Sequence, residues 1–478
     1  MKFAPVSAFL LLALASCAVG PDYEKPETAL PADWNAQSQA AADAKAAIDQ
    51  EWWKNFNDPV LTQLIDKAAS QNFDLKIAEA RIAAARAGVS LTDAAFLPQG
   101  DVKGSATREA NQMAFPDEKG STLGQSLHKP FNIFTAGFDA SWEIDLFGGI
   151  RRGEERAAAQ LQASEASRDD VRVSLMAEVA RTYIDIRAAQ AQVKIAQDTV
   201  AADRKTLDIA GQRVKAGIAP GLDVTQAEAA LQQAQTQLPV MRDRLAQDEY
   251  DMDVLLGEQP GATQKIITSD APIPTSNKQV ALAAPASVIA QRPDIRVAER
   301  NLAAATAQQG VAVAQFFPKI SLSGFFGALN TSATGLISPA NESWLASGGI
   351  LWPILNYGTL SANLDTANAQ QQEAMASYQK TILGSLSDVN KSLSSYTEEQ
   401  KFLQSALTAV VKDAEAAGIA RQRYKQGLTS FIEVLDAERT LYTAQKQATD
   451  AEAMTSQNLV ALYKSLGGGW QSNASGNQ

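Results

Sequence analysis

The stretch FTAGFDASWEIDL, residues 134–146, alternates between two chemistries. Phe134, Ala136, Phe138, Ala140, Trp142, Ile144 and Leu146 take the even positions, and Thr135, Gly137, Asp139, Ser141, Glu143 and Asp145 the odd ones. A period of two marks a strand whose two faces meet unlike surroundings. A soluble sheet can produce the same alternation. Here aromatics sit on one face and three carboxylates on the other, as a strand between lipid and a wet lumen requires.

Working outward, Trp344, Ala346, Ile350, Trp352 and Ile354 repeat the scheme. The pattern predicts strands at about 98–109, 131–147, 318–329 and 343–355, the first of them weak and assigned mainly because it mirrors the third. Residues 110–130 and 330–342, rich in Gly, Pro, Ser, Asn and Asp, read as exposed hairpin loops.

The strands belong to a chain written twice. DLKIAEARIAAARAGVSLTDAAFLP from Asp74 aligns with DIRVAERNLAAATAQQGVAVAQFFP from Asp294, an offset of 220. Beyond the loops the offset is 210, pairing Trp142 with Trp352, Arg213 with Arg423, Gly217 with Gly427 and Gly257 with Gly467.

The remainder has a period of seven. Val179, Ile186, Val193, Val200, Leu207 and Val214 recur, with Thr182, Ala189, Ala196, Asp203 and Ala210 three residues behind. Val389, Tyr396, Leu403, Val410, Ala417 and Tyr424 match them in the second copy. Such a repeat predicts long helices supercoiled on neighbours. The Gly- and Pro-free run from Glu154 to Ala210 alone would extend roughly 85 Å. Pro239 is expected to interrupt and kink the returning helix.

Cys17, the single cysteine, follows Lys2 and an apolar run from Ala8 to Leu14, the parts of an export signal too short to span a bilayer. Leu14-Ala15-Ser16-Cys17 has the form of a lipobox, with Cys17 the lipid-bearing residue; ordinary cleavage near Ala15 is the alternative. The net charge of −11 argues against nucleic acid as a partner. No later segment is apolar enough for a membrane helix, so any crossing must be a β-barrel. Catalysis has little footing: His128 is the only histidine, no P-loop or dinucleotide fingerprint occurs, and heptad surfaces account for most acidic residues. No enzyme activity, metal or cofactor beyond a covalent lipid on Cys17 is expected.

Four strands cannot close on themselves, because the narrowest barrels need about eight. An open edge in lipid leaves backbone groups unpaired at several kcal/mol each, so other chains must complete the wall. Two chains would supply eight strands and three would supply twelve.

CAVGPDYEKP (17–26), WWKNFNDPVL (52–61), RPDIRVAERNL (292–302), FFPKISLSG (316–324) and SLGGGW (465–470) resemble the outer-membrane factor lipoproteins, the TolC/OprM-like channels. The resemblance implies a mainly helical homotrimer with a twelve-stranded membrane β-barrel and a twelve-helix periplasmic α-barrel. It also implies an exit duct for drugs or other small solutes, docked on a periplasmic adaptor fed by an inner-membrane RND-type transporter, in the outer membrane lipid. A coiled-coil adaptor lipoprotein would need no duplicated strands; a duct for secreted proteins is the other alternative.

On this reading residues 1–16 are the signal peptide and 17–58 a lipidated extended segment with equatorial region. The first repeat is 59–257, with a helical hairpin 149–257 and tip 215–224. A linker and equatorial domain at 258–290 precedes the second repeat, 291–467, with hairpin 358–467, tip 425–434, and a tail 468–478. Gly217 and Gly427 read as helix caps of positive φ. The resemblance places adaptor contacts at Arg213, Gly217, Asp223, Arg423 and Gly427, and the gate at Tyr424, Glu433 and Asp436. Glu433 and Asp436 share a helix face, and three chains would crowd six carboxylates around one axis, raising their apparent pKa values. A solvated acidic patch is the plain alternative. Thr429 stands where some members carry a basic latch residue, for which Arg423 or Arg439 could substitute.

Overall fold

The structure, a computed structural model, describes residues 18–34, 49–110, 130–276, 278, 280, 282–337 and 339–470. Cys17, His128 and most of the first expected hairpin loop lie outside them. One order of elements occurs twice. The first set is α1 (Pro59–Gln71), α2 (Phe73–Ala94), β1 (Gln99–Glu109), β2 (Phe131–Ile144), α3 (Gly149–Lys215) and α4 (Gly221–Leu255). The second is α5 (Pro285–Gln291), α6 (Pro293–Ala314), β3 (Lys319–Asn330), β4 (Glu342–Leu351), α7 (Tyr357–Gln426) and α8 (Phe431–Ser465). Among the described residues no helix is long and apolar enough to cross a membrane.

Two compact units can be distinguished. The first comprises the described residues of Met1–Pro26, Ile82–Ala163 and Ala298–Ser377, and holds the sheet. Its four strands pair antiparallel in the order β1-β2-β3-β4, so β1 and β4 are the edges. The register lines up Val102, Phe138, Phe326 and Trp344 across one face, all exposed. The other face carries the in-register serines Ser141, Ser323 and Ser347, with Ser323 and Ser347 hydroxyls 2.7 Å apart. Lys103 pairs with Asp139 at 2.9 Å on that face, and Lys319 with Glu143 at 3.5 Å. Trp142 and Trp352 each donate an indole N–H to a helix-end carbonyl, that of Phe96 at 2.8 Å and that of Phe316 at 3.1 Å.

Where strands give way to helices, Phe147 stacks on Phe317 with ring centroids 4.8 Å apart. The chain after Cys17 is tied down here. Val19 N–H bonds the Phe147 carbonyl at 3.1 Å. The Arg152 side chain, 3% exposed, donates to the carbonyls of Val19 and Gly20 and to Asp22 Oδ1 at 2.6 Å. Gly20 passes so close to Gly310 that a Cβ on it would lie 2.6 Å from that backbone.

The second unit, Glu27–Arg81, Ser164–Val297 and Tyr378–Gln478 in its described residues, contains the main core. Asp58 caps α1, its Oδ1 accepting from Val60 and Leu61 N–H, with Pro59 pre-set for the first turn. Leu61, Leu64, Ile65 and Ala68 then recur at helical spacing and are all buried. They join Trp52, Trp53, Phe56, Val179, Tyr183, Ile186 and Met252. Trp52 stacks on Tyr463 at 5.6 Å and 11°. Tyr183 donates to Asp58 Oδ2 at 2.8 Å and accepts from Arg187 Nε at 2.9 Å.

The segment 258–290 holds α5 and a helical turn at Thr263–Ile266, both too short for periodicity to reveal. Two expectations are corrected. The last strand ends at Leu351 rather than near 355, because Pro353 has no N–H for the ladder. Pro239 does not interrupt the returning helix, for α4 continues through it. That residue is exposed, so water can satisfy the carbonyl it frees.

Candidate functional site at the helix-hairpin turns

Both long hairpins turn alike. At Gly217 φ is +74°, its N–H bonds Val214 at 2.9 Å, and Ile218 N–H reaches back to Arg213 at 3.0 Å. At Gly427 φ is +80°, with the equivalent bonds to Tyr424 and Arg423, both 2.9 Å. This double closure is the Schellman arrangement, and its left-handed residue would cost about 1–2 kcal/mol with a Cβ.

Tyr424 binds the two turns together. It is 3% exposed and packs against Phe431, Val434, Ala210 and Ala227. Its hydroxyl donates to Asp223 Oδ2 at 2.8 Å. The Arg213 guanidinium lies 4.6 Å from the ring centroid and also donates to the Tyr424 carbonyl. Burial, reinforced by the bond to Asp223, pushes the Tyr424 phenol up to about 12. Four of the residues singled out in the sequence, Arg213, Asp223, Tyr424 and Gly427, thus meet within one cluster, with Gly427 facing Arg213 Nη2.

Glu433 and Asp436 behave differently. Both are exposed on α8. Thr429 donates its hydroxyl to Glu433, which also takes a bond from Ser430 Oγ at 3.3 Å. These bonds, Thr429's foremost, hold the Glu433 carboxyl below its ordinary range, with Arg423 adding a smaller pull in the same direction. Within one protomer the local contacts therefore oppose the upward shift expected from crowding. Arg423 itself is exposed.

A second polar group was not singled out by the sequence reading. Glu438 accepts from Thr206 Oγ1 at 2.9 Å and lies 3.0 Å from Arg421 Nε. Asp203, 8% exposed, belongs to the same neighbourhood, and burial raises the pKa of both carboxyls against the pull of Arg421. The signal was present. Thr182, Ala189, Ala196, Asp203 and Ala210 are all buried, and Asp203 is the one charge in that small-residue series. Among the described residues no cluster of His, Cys, Asp and Glu could hold a metal ion.

The family model for "Outer membrane efflux protein" matches this chain twice, over residues 64–258 and 284–468. The chain belongs to the outer membrane efflux protein family. It is 33% identical over 483 residues to the solvent efflux pump outer membrane protein SrpC of Pseudomonas putida, covering 98% of this chain and 99% of the relative. The antibiotic efflux pump outer membrane protein ArpC of Pseudomonas putida is 33% identical over 472 residues, covering 97% and 94%. Among solved structures, the outer-membrane channel OprN superposes with a TM-score of 0.86 at 34% identity, covering 95% of this chain and all of OprN. The protein is thus an outer-membrane efflux channel component, and its family is one of transport ducts.

Proposed function

We propose that three copies of this chain form a passive exit duct for small solutes, each contributing four strands and four long helices from a duplicated unit. The carrying observation is the sheet. It has an exposed apolar row, Val102-Phe138-Phe326-Trp344, and two unpaired edges, β1 and β4. In lipid each unpaired backbone group costs several kcal/mol, so identical neighbours must take up the edges. Three copies supply twelve strands, as in the channels the sequence resembles.

The chain hydrolyses nothing in this reading; an inner-membrane RND-type transporter supplies the energy and a periplasmic adaptor docks at the turns around Gly217 and Gly427. Tyr424, Glu433 and Asp436 form the gate. Cys17 carries a lipid that anchors the chain in the outer membrane. Tethering of Val19 and Gly20 by Phe147 and Arg152 supports this, since it fixes the backbone next to that residue. Relatives are named for solvents and antibiotics, and the cargo proposed here is of that small-molecule kind.

Planar-bilayer recording of the purified protein, with its mass measured in detergent, tests the proposal. The expected result is a trimer that passes current; a monomer that conducts, or a trimer that does not, overturns it.

A further inference from the structure

The Asp203–Glu438 neighbourhood opens into a cleft of about 740 Å³ between α3, α4 and α8. Its size suits a drug-sized molecule, since ligand sites span roughly 300–1,000 Å³. Alanines 196, 229, 230 and 234 leave the floor open, and Leu435 and Tyr442 supply apolar walls. The charges on it are unequal. Asp203, Asp436 and Glu438 line it against Arg439, and Arg421 adds a second cation beside Glu438. With every group ionised, one negative charge is left over.

That charge has an address. The Glu438 side chain is 10% exposed, and only its Oε1 is engaged, by Thr206 and Arg421. Oε2 is buried without a hydrogen-bond partner. A buried, unpaired carboxylate oxygen costs about 1–3 kcal/mol or more, which a cation of matching shape would relieve. An inorganic ion fits poorly, because Arg421 stands beside Glu438 and the alanines, Ile432, Leu435 and Tyr442 put apolar surface on the cleft. A flat organic cation would both fill the apolar space and supply the missing charge.

We propose that this cleft is a binding site for amphiphilic organic monocations, with Glu438 Oε2 as the counter-charge and Tyr442 and Leu435 as the apolar walls. This deepens the duct reading by naming a class of solute, and rests on that reading for its purpose, but not for its chemistry. Burial holds the Asp203 and Glu438 carboxyls up, so a cation competes with protons there at higher pH than at a free carboxylate. Affinity therefore rises with pH through their titration. The charged groups lining the cleft are those named above; α4 contributes glutamines and alanines.

Equilibrium binding of ethidium to the purified full chain in detergent, followed by fluorescence anisotropy, tests the site. The expected result is saturable binding, weakened about tenfold by Glu438→Gln, in line with one lost charge contact of about 1.4 kcal/mol. It should also weaken as pH falls and the carboxyls protonate. Ala234→Leu, which fills the floor without touching any charge, should abolish it. Unchanged affinity in both variants, or equal competition by the uncharged 6-phenylphenanthridine, overturns the proposal. Bilayer conductance reports on the duct separately, so loss of dye binding with current intact refutes only the cleft.

Discussion

Asn72 and Arg292, 220 residues apart, do the same job in the two halves of the chain with different chemistry. Asn72 Nδ2 donates to the carbonyl of Leu255 at 2.9 Å, and Arg292 Nη1 to that of Ser465 at 2.7 Å. Each also opens the next helix. Asn72 Oδ1 accepts from the N–H groups of Asp74 and Leu75. Arg292 forms a two-point contact with Asp294, whose Oδ1 accepts from Ile295 N–H at 2.9 Å. One side chain thus closes a long hairpin onto the start of its own half.

Asn72 is 4% exposed, and Asn72→Ala takes its bonds from the half-buried Leu255 carbonyl and from the Asp74 and Leu75 N–H groups. A loss of about 1–3 kcal/mol is expected, read as a lower melting temperature of the purified protein in detergent. Arg292→Lys should be nearly as costly as Arg292→Ala, because an ammonium cannot reproduce the fork to Asp294 and the bond to Ser465 together. Full rescue by lysine would contradict the geometry.

Tyr424→Phe keeps the ring under Arg213 and removes only the bond to Asp223. The expected loss is about 1 kcal/mol, or roughly fivefold in favour of the open turn. Single-channel open probability should rise accordingly, and Asp223→Asn added to it should change little. The phenol's folded value, near 12, lies above its unfolded value of about 10. Its contribution is therefore full below about pH 10 and is lost as pH rises through about 12. Ultraviolet titration should show one fewer high-pH phenol in Tyr424→Phe than in the native protein, where burial also raises Tyr183, Tyr396, Tyr442 and Tyr463.

Phe138 stands in the exposed apolar row and Asp139 on the opposite face. Phe138→Arg should destabilise the membrane-inserted form by about 2–4 kcal/mol if the row lies near mid-bilayer depth. Asp139→Ala should cost less than about 1 kcal/mol, since it removes only a partly exposed pair with Lys103. The temperature at which heat-modifiable migration is lost on gels separates the two variants.

Arg152→Ala removes every side-chain bond that holds the carbonyls of Val19 and Gly20. Proteolysis near residue 20 should accelerate about tenfold or more, with the strand-borne barrel signature unchanged. Gly20→Ala should do the same by another route, because φ is +92° and a Cβ would meet the Gly310 backbone. A variant whose segment stays protected would show that other contacts suffice.

Strong periodicities were legible and weak ones were not. The aromatic-acidic alternation of 134–146 reads as a strand because both faces are marked by chemistry. The first strand was faint because it is an edge: Lys103, Arg108, Gly100 and Gly104 suit exposure better than packing. Helix α5 is not legible because its seven residues fall short of the roughly 11 over which a helical period can be recognised. At the turns, Gly217 and Gly427 were readable from the left-handed cap alone. The Arg421–Glu438–Thr206 group was not, because its members lie on three helices and meet only after packing. Asp203 was the visible clue, a lone charge in a buried heptad series.

The two rims of the sheet belong to opposite ends of the polypeptide's repeat, β1 to the earlier and β4 to the later. A solitary newly made chain therefore carries a pair of unlike adhesive borders, each a template for the other on any molecule nearby. Partnering of that head-to-tail kind stops growing only when a ring shuts, so under the proposed trimeric duct the lone subunit is an unsafe species whose lifetime before ring closure decides between a finished pore and an aggregate.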